Sequence, residues 1–129
     1  MIILGLIFCG IAALIHVYIF YLESIAWLNE STRKTFGITF EEAEATRAMA
    51  FNQGFYNLFL AISVFLGIFI FSSGSTAVGT TLIGVGAGSM VAAGVVLVAS
   101  DRSKTSAALK QFVPPLLGLI SLAIGSAIT

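Results

Sequence analysis

The chain has 129 residues, 58% of them hydrophobic and 9% charged, and its six basic and six acidic side chains cancel. A mean hydropathy of +1.05 leaves too little polar surface to cover a soluble domain, so the composition points to a single integral membrane domain. Balanced charge without a basic patch excludes a nucleic-acid surface and a polybasic lipid-binding tail, and one cysteine excludes an intramolecular disulfide.

Four helical spans are predicted, over about 2–27, 40–71, 76–99 and 112–128, which makes the fold an all-α, four-helix membrane bundle. Crossing about 30 Å of hydrocarbon takes about 20 residues, which the first three spans reach easily and the fourth barely. The first span lacks the basic leader of a secretory signal, and Phe8 stands where a lipoprotein cleavage site needs a small residue. It is therefore expected to stay in the membrane. Within it, Cys9, His16 and Glu23 recur at intervals of seven and stack along one helical stripe. An ionised group costs roughly 2.5–3.5 kcal/mol at the bilayer centre, so the stripe should face protein or a wet cavity. Cys9 reads as a small packing residue rather than a nucleophile, and Trp27 as an interfacial anchor.

A polar link from Asn29 to Thr46 follows. In it Thr39-Phe-Glu-Glu42 fits a capping box, so the second helix should begin near Phe40, with Glu41, Glu42 and Glu44 in a solvated first turn. That helix carries Asn52, Gln53, Tyr56 and Asn57 within about 140° of arc, a width that suits a cavity wall better than a single seam. Ser72 to Ala77 is a tight, uncharged turn. In the third span, glycines and alanines leave little side-chain bulk, and Gly84 and Gly88 form a G-x-x-x-G pair. That pair is expected to pack within the bundle, with a dimer face as the alternative. A second polar link carries Arg102, Lys104 and Lys110, and Pro114-Pro115 is expected in the first turn of the fourth span, with Gln111 facing back into the bundle.

All six basic residues fall in or beside the two longer links, which places that end in the cytoplasm and both termini outside an inner or plasma membrane. Taking Trp27 and Arg47 as interface markers, Glu23 lies about 6 Å inside and His16 about 16 Å, near the midplane. Asn52 and Gln53 come about 8–9 Å inside, and Tyr56 and Asn57 about 14–15 Å. Matched depth predicts that Glu23 meets Asn52 or Gln53 and that His16 meets Tyr56 or Asn57. His16 and Glu23 are then candidate catalytic groups, with Asn52, Gln53, Tyr56, Asn57 and Gln111 as ligand-binding residues. A bland alternative, hydrogen-bonded glue between helices at roughly 0.6 kcal/mol per residue, competes for each polar partner. Cys9, His16 and Glu23 sit about 10.5 Å apart and cannot share a metal ion, and nothing points to a cofactor.

The chain resembles a family of small bacterial membrane proteins of unknown function, DUF1304. The resemblance rests on His16-Val-Tyr-Ile-Phe-Tyr-Leu-Glu23 followed by Trp27, on Phe36-Gly37, on Ala50-Phe-Asn-Gln-Gly-Phe-Tyr-Asn57-Leu-Phe-Leu-Ala61, and on Gln111 with Pro114. It implies a four-helix integral membrane protein and supplies no reaction. Three functions compete on the sequence. The first is a site that binds or transforms a small, partly apolar molecule. The second is a proton-coupled transporter acting as a homo-oligomer, against which no inverted repeat is visible between the halves. The third is an accessory subunit docking another membrane protein.

Overall fold

A computed structural model describes residues 1–128. Helix α1 (Ile2–Phe20) continues through one π-helical turn over Tyr21–Ile25; α2 (Glu30–Phe36) is short; α3 (Phe40–Ser72), α4 (Thr76–Ser100) and α5 (Thr105–Ala127) are long. A single 3₁₀ turn, Arg102–Lys104, separates α4 from α5. The fold is all-α, with four helices long and apolar enough to cross a membrane.

The four long helices alternate in direction around a square: α1 packs on α3 and α5, and α4 closes the ring between α3 and α5. One end holds both described chain ends and the α3–α4 turn, and the other holds α2 and the Asp101 turn. They are called here the terminal end and the loop end. The core is built from small side chains, with Cys9, Ala12, Ala13, Ala61 and Ala87 beside Val64, Ile83, Met90 and Leu122. Small residues let backbones approach, and van der Waals packing then does what the hydrophobic effect cannot do between helices in lipid. Gly118 is the clearest case: a Cβ there would run into the Cys9 sulfur and lie 3.0 Å from its backbone nitrogen.

Two expectations about glycine and proline fail. Gly84 and Gly88 have nothing within 4 Å of where a side chain would begin, whereas Gly79, Gly86 and Gly94 are the packed glycines of α4. The G-x-x-x-G face therefore points away from the bundle, because the helix turns its other glycine-rich face toward α3 and α5. Pro114 and Pro115 lie ten residues into α5 rather than in its first turn. The helix starts at Thr105 because the polar segment before the prolines is itself helical. The two prolines remove the N–H groups that would bond the carbonyls of Lys110 and Gln111.

The capping box is present: Thr39 Oγ1 accepts from the Glu42 backbone at 3.2 Å, and Glu42 Oε2 accepts from the Thr39 N–H at 2.7 Å. At 1.5 Å per residue α3 is about 50 Å long, well beyond the hydrocarbon thickness, so its capped end stands clear of the apolar layer. α2 fills the link the sequence left without structure. It ends at Gly37, whose φ of 67° is the left-handed geometry that favours glycine. Lys104, from the other link, donates to the Phe36 carbonyl at 2.6 Å and ties the two links together. Trp27 lies beyond the α1 helix and donates from Nε1 to the Ala43 carbonyl at 3.0 Å.

Candidate functional site

The candidate site begins where α1 changes pitch. In the π turn the Ala26 N–H reaches back to the Tyr21 carbonyl at 2.9 Å, one residue further than an α-helix would. Such wide turns recur at functional positions because they break the regular phase of side chains. Here the turn presents Glu23 and Ser24 to α3. Ser24 Oγ donates to the Phe51 carbonyl at 2.8 Å. Gly54 makes the approach possible, since any Cβ there would collide with the Ser24 hydroxyl and come within 3.1 Å of Glu23 Cβ.

Glu23 Oε2 accepts from Asn57 Nδ2 at 2.8 Å, and the same amide also reaches the Gln53 carbonyl at 3.2 Å. Glu23 thus pairs with Asn57, not with Asn52 or Gln53. The expected register was one turn off for two reasons. Helical side chains tilt toward their own N-terminus, so on antiparallel helices they lean toward one another and meet across a height difference. The backbones are also offset, since Gly54 lies against Ser24 and Glu23, several residues further along α3 than the interface markers implied.

The other three predicted ligand-binding residues of α3 turn outward. Tyr56 is 63% exposed, and Asn52 and Gln53 are exposed as well. Gly54 sets the face that meets α1, and at 100° per residue positions two before and two after it fall on the opposite side.

His16 is 2% exposed and makes its hydrogen bond within its own helix, Nδ1 to the Ala12 carbonyl at 2.8 Å. It bonds neither Tyr56 nor Asn57. The π turn explains the separation of His16 from Glu23, because it rotates Glu23 off the stripe on which Cys9 and His16 lie. Gln111 is half-buried on α5 and makes no side-chain hydrogen bond among the described residues. Ser63 bonds the Leu82 carbonyl at 3.0 Å and serves the α3–α4 seam.

A cleft of about 340 Å³ opens at the loop end between α1 and α3, lined by Glu23, Ser24, Trp27, Asn29, Arg47 and Phe51 among others. One side is polar and carries both charge types, while Trp27 and Phe51 supply aromatic surface. Phe51 continues into a ladder, with ring centroids 5.1 Å from Phe55, which in turn meets Phe20 edge-on at 5.1 Å. Arg47 was read only as an interface marker and Asn29 only as the start of a link, and Phe51, Ser24 and Gly54 were not read as site residues. The small pair Ser24 and Gly54, facing each other across the seam, was the signal available. Among the described residues no three His, Cys, Asp or Glu side chains come together to hold a metal.

These features define a multi-pass, all-α membrane protein with a carboxylate set in a widened helical turn beside a cleft. The family model described as "Protein of unknown function (DUF1304)" matches residues 10–123, and the chain belongs to that family. No curated protein and no solved structure matches it. The matched stretch contains the π turn, Gly54, Asn57 and the α5 prolines.

Proposed function

We propose that this is a protein of the cell's inner or plasma membrane, with its loop end in the cytoplasm, that binds a small, partly apolar molecule in the cleft beside Glu23. The observation that carries the reading is that Glu23, held by Asn57, lines that cleft. Asn57 occupies one carboxylate oxygen and fixes the group's orientation, which leaves the other to accept from a ligand's amine or hydroxyl. Trp27 and Phe51 offer the apolar body of the ligand a flat surface. The location follows from the six basic residues gathered at the loop end. Glu23 is the anchoring residue in this reading, and His16, two turns deeper, is not part of the cleft.

Trp27 is the chain's one tryptophan, so its emission reports on the cleft directly. Protein in lipid nanodiscs is titrated with alkylamines and alkanols of increasing length. A saturable change in Trp27 emission, weakened at least tenfold for the amine by Glu23→Gln, supports the reading. Partition-like, unsaturable changes that are equal in wild type and in Glu23→Leu overturn it.

A second reading, a proton-coupled transporter acting as a homo-oligomer, draws support from the uncovered Gly84 and Gly88. A chain that stays monomeric in nanodiscs, with the same mass after Gly84→Leu, removes that support.

A further inference from the structure

His16 donates from Nδ1 to a carbonyl, an atom that can only accept, so Nδ1 carries the proton. In the neutral ring Nε2 is then a bare acceptor, and it has no hydrogen-bond partner among the described residues. Thr32 Oγ1 is the one polar side-chain atom among the described residues that is both shut off and unpaired. Since Nε2 is also unpaired, the sliver of His16 surface that stays open reaches it, so a water-sized group can touch this nitrogen.

The backbone register indicates what lies opposite. Gly125 packs on Ile2, Leu122 on Gly5 and Gly118 on Cys9, each contact moving up α5 as it moves back along α1. Cys9 and His16 share a stripe, so the stripe that meets α5 at Cys9 continues to His16. Extending the same register by seven residues brings His16 level with Gln111. Helix carbonyls point toward the C-terminus, which in α5 is the terminal end, and the side chain of His16 leans that way too. The Gln111 carbonyl is the one that Pro115 deprives of its N–H partner. An imidazole nitrogen without a partner among the described residues and a carbonyl without its usual helical donor thus come to one level of the α1–α5 seam.

We propose that His16 Nε2 and the Gln111 carbonyl form an internal binding site for a small hydroxylic donor, in the simplest case one water molecule that gives a hydrogen to each. Two acceptors select a molecule with two O–H or N–H hydrogens and reject an apolar one. The site is distinct from the Glu23 cleft and does not depend on the reading of that cleft. It also accounts for two features that would otherwise only cost stability, a buried imidazole and a proline pair within a spanning helix.

The chain's one histidine makes the test direct. Protein labelled with ¹⁵N-histidine in lipid bilayers gives a single pair of imidazole nitrogen resonances. The expected spectrum has a protonated Nδ1 and an unprotonated Nε2. The Nε2 resonance is shifted upfield of a bare lone pair, with magnetisation transfer from water or another hydroxylic proton. Pro115→Ala returns an N–H to the Gln111 carbonyl, and the Nε2 resonance should then move toward the bare-lone-pair position while helicity is retained. A protonated Nε2, a bare lone-pair shift in the wild type, or a shift unchanged by Pro115→Ala overturns the proposal.

Discussion

The interior of this bundle and its loop end are held by different physics. Along the α1–α5 seam small residues let the backbones approach across Gly5, Cys9 and Gly118, and among the described residues no hydrogen bond joins side chains there. At the loop end, Trp27, Lys104, Ser24 and Asn57 each reach across to another element through a polar atom. The difference follows from the solvent. Lipid offers an exposed polar group nothing, so interior stability comes from close approach. Near the interface water can compete, so polar side chains are affordable and can be spent on shaping a site. An interior built this way fails by steric collision, whereas the loop end fails by loss of individual bonds.

The largest effect should therefore come from bulk placed in the interior. Gly118→Val drives a side chain into the Cys9 sulfur and is expected to cost about 1–3 kcal/mol or more, as overpacking does. Gly84→Val, on the open face of α4, should leave the monomer's unfolding midpoint nearly unchanged. Comparing the two midpoints in mild detergent checks this. Equal sensitivity at both positions would erase the distinction between a packed and an unpacked glycine.

Next in size is the polar link between α1 and α3. Asn57→Leu removes the donor to Glu23 and is expected to cost about 0.6–1.7 kcal/mol, the range of hydrogen bonds between membrane helices. Tyr56→Phe, one residue away on the exposed face, should stay within about 0.5 kcal/mol. A steady-state unfolding titration of both variants separates a residue that faces Glu23 from one that does not.

That pair of residues also marks how far the sequence could be read. The four spans follow from apolar length, and the start of α3 from the Thr39–Glu42 pattern, because both signals are local. Which of four adjacent polar residues faces inward is not local. It was decided by Gly54, whose missing side chain admits Ser24, and polarity alone cannot reveal that. The π turn at Tyr21–Ile25 was invisible for a related reason: its sequence is an ordinary helical one, and the extra residue is accommodated only through contacts with α3. Gly84 and Gly88 were misplaced because the motif says that a helix can be approached closely, not from which side.

A smaller effect is expected where the two links meet. Lys104→Met keeps the length of the stem but removes the cation that donates to the Phe36 carbonyl at the C-terminus of α2. Charges at helix C-termini contribute about 0.3–1 kcal/mol, and salt screens them. Hydrogen exchange should quicken in α2 and leave α1 and α5 untouched, with the difference fading at high ionic strength. Faster exchange throughout the bundle would mean that the loop end and the interior are one cooperative unit.

The smallest effect is the pH response of Asp101, in the turn between α4 and α5. Its Oδ1 accepts from Ser103 Oγ at 2.6 Å and from the Ser103 backbone N–H at 3.0 Å. These bonds, with Lys104 nearby, hold its carboxyl below the ordinary value of 3.8, because they favour the charged form. A folded-state value below the unfolded one means that the unfolded chain binds the proton more readily. The stabilisation is therefore complete above the unfolded value and is lost as pH falls through the folded one. Asp101→Ala should lower the melting temperature slightly at neutral pH, and its difference from wild type should shrink steadily in acid. The side chain is fully solvated, so salt screens the Lys104 contribution while the short bonds to Ser103 persist. A difference that grew as pH fell would show that the carboxylate is strained in the folded turn rather than stabilised by it, and the loop end would then owe its order to the cross-element bonds of Lys104, Trp27, Ser24 and Asn57.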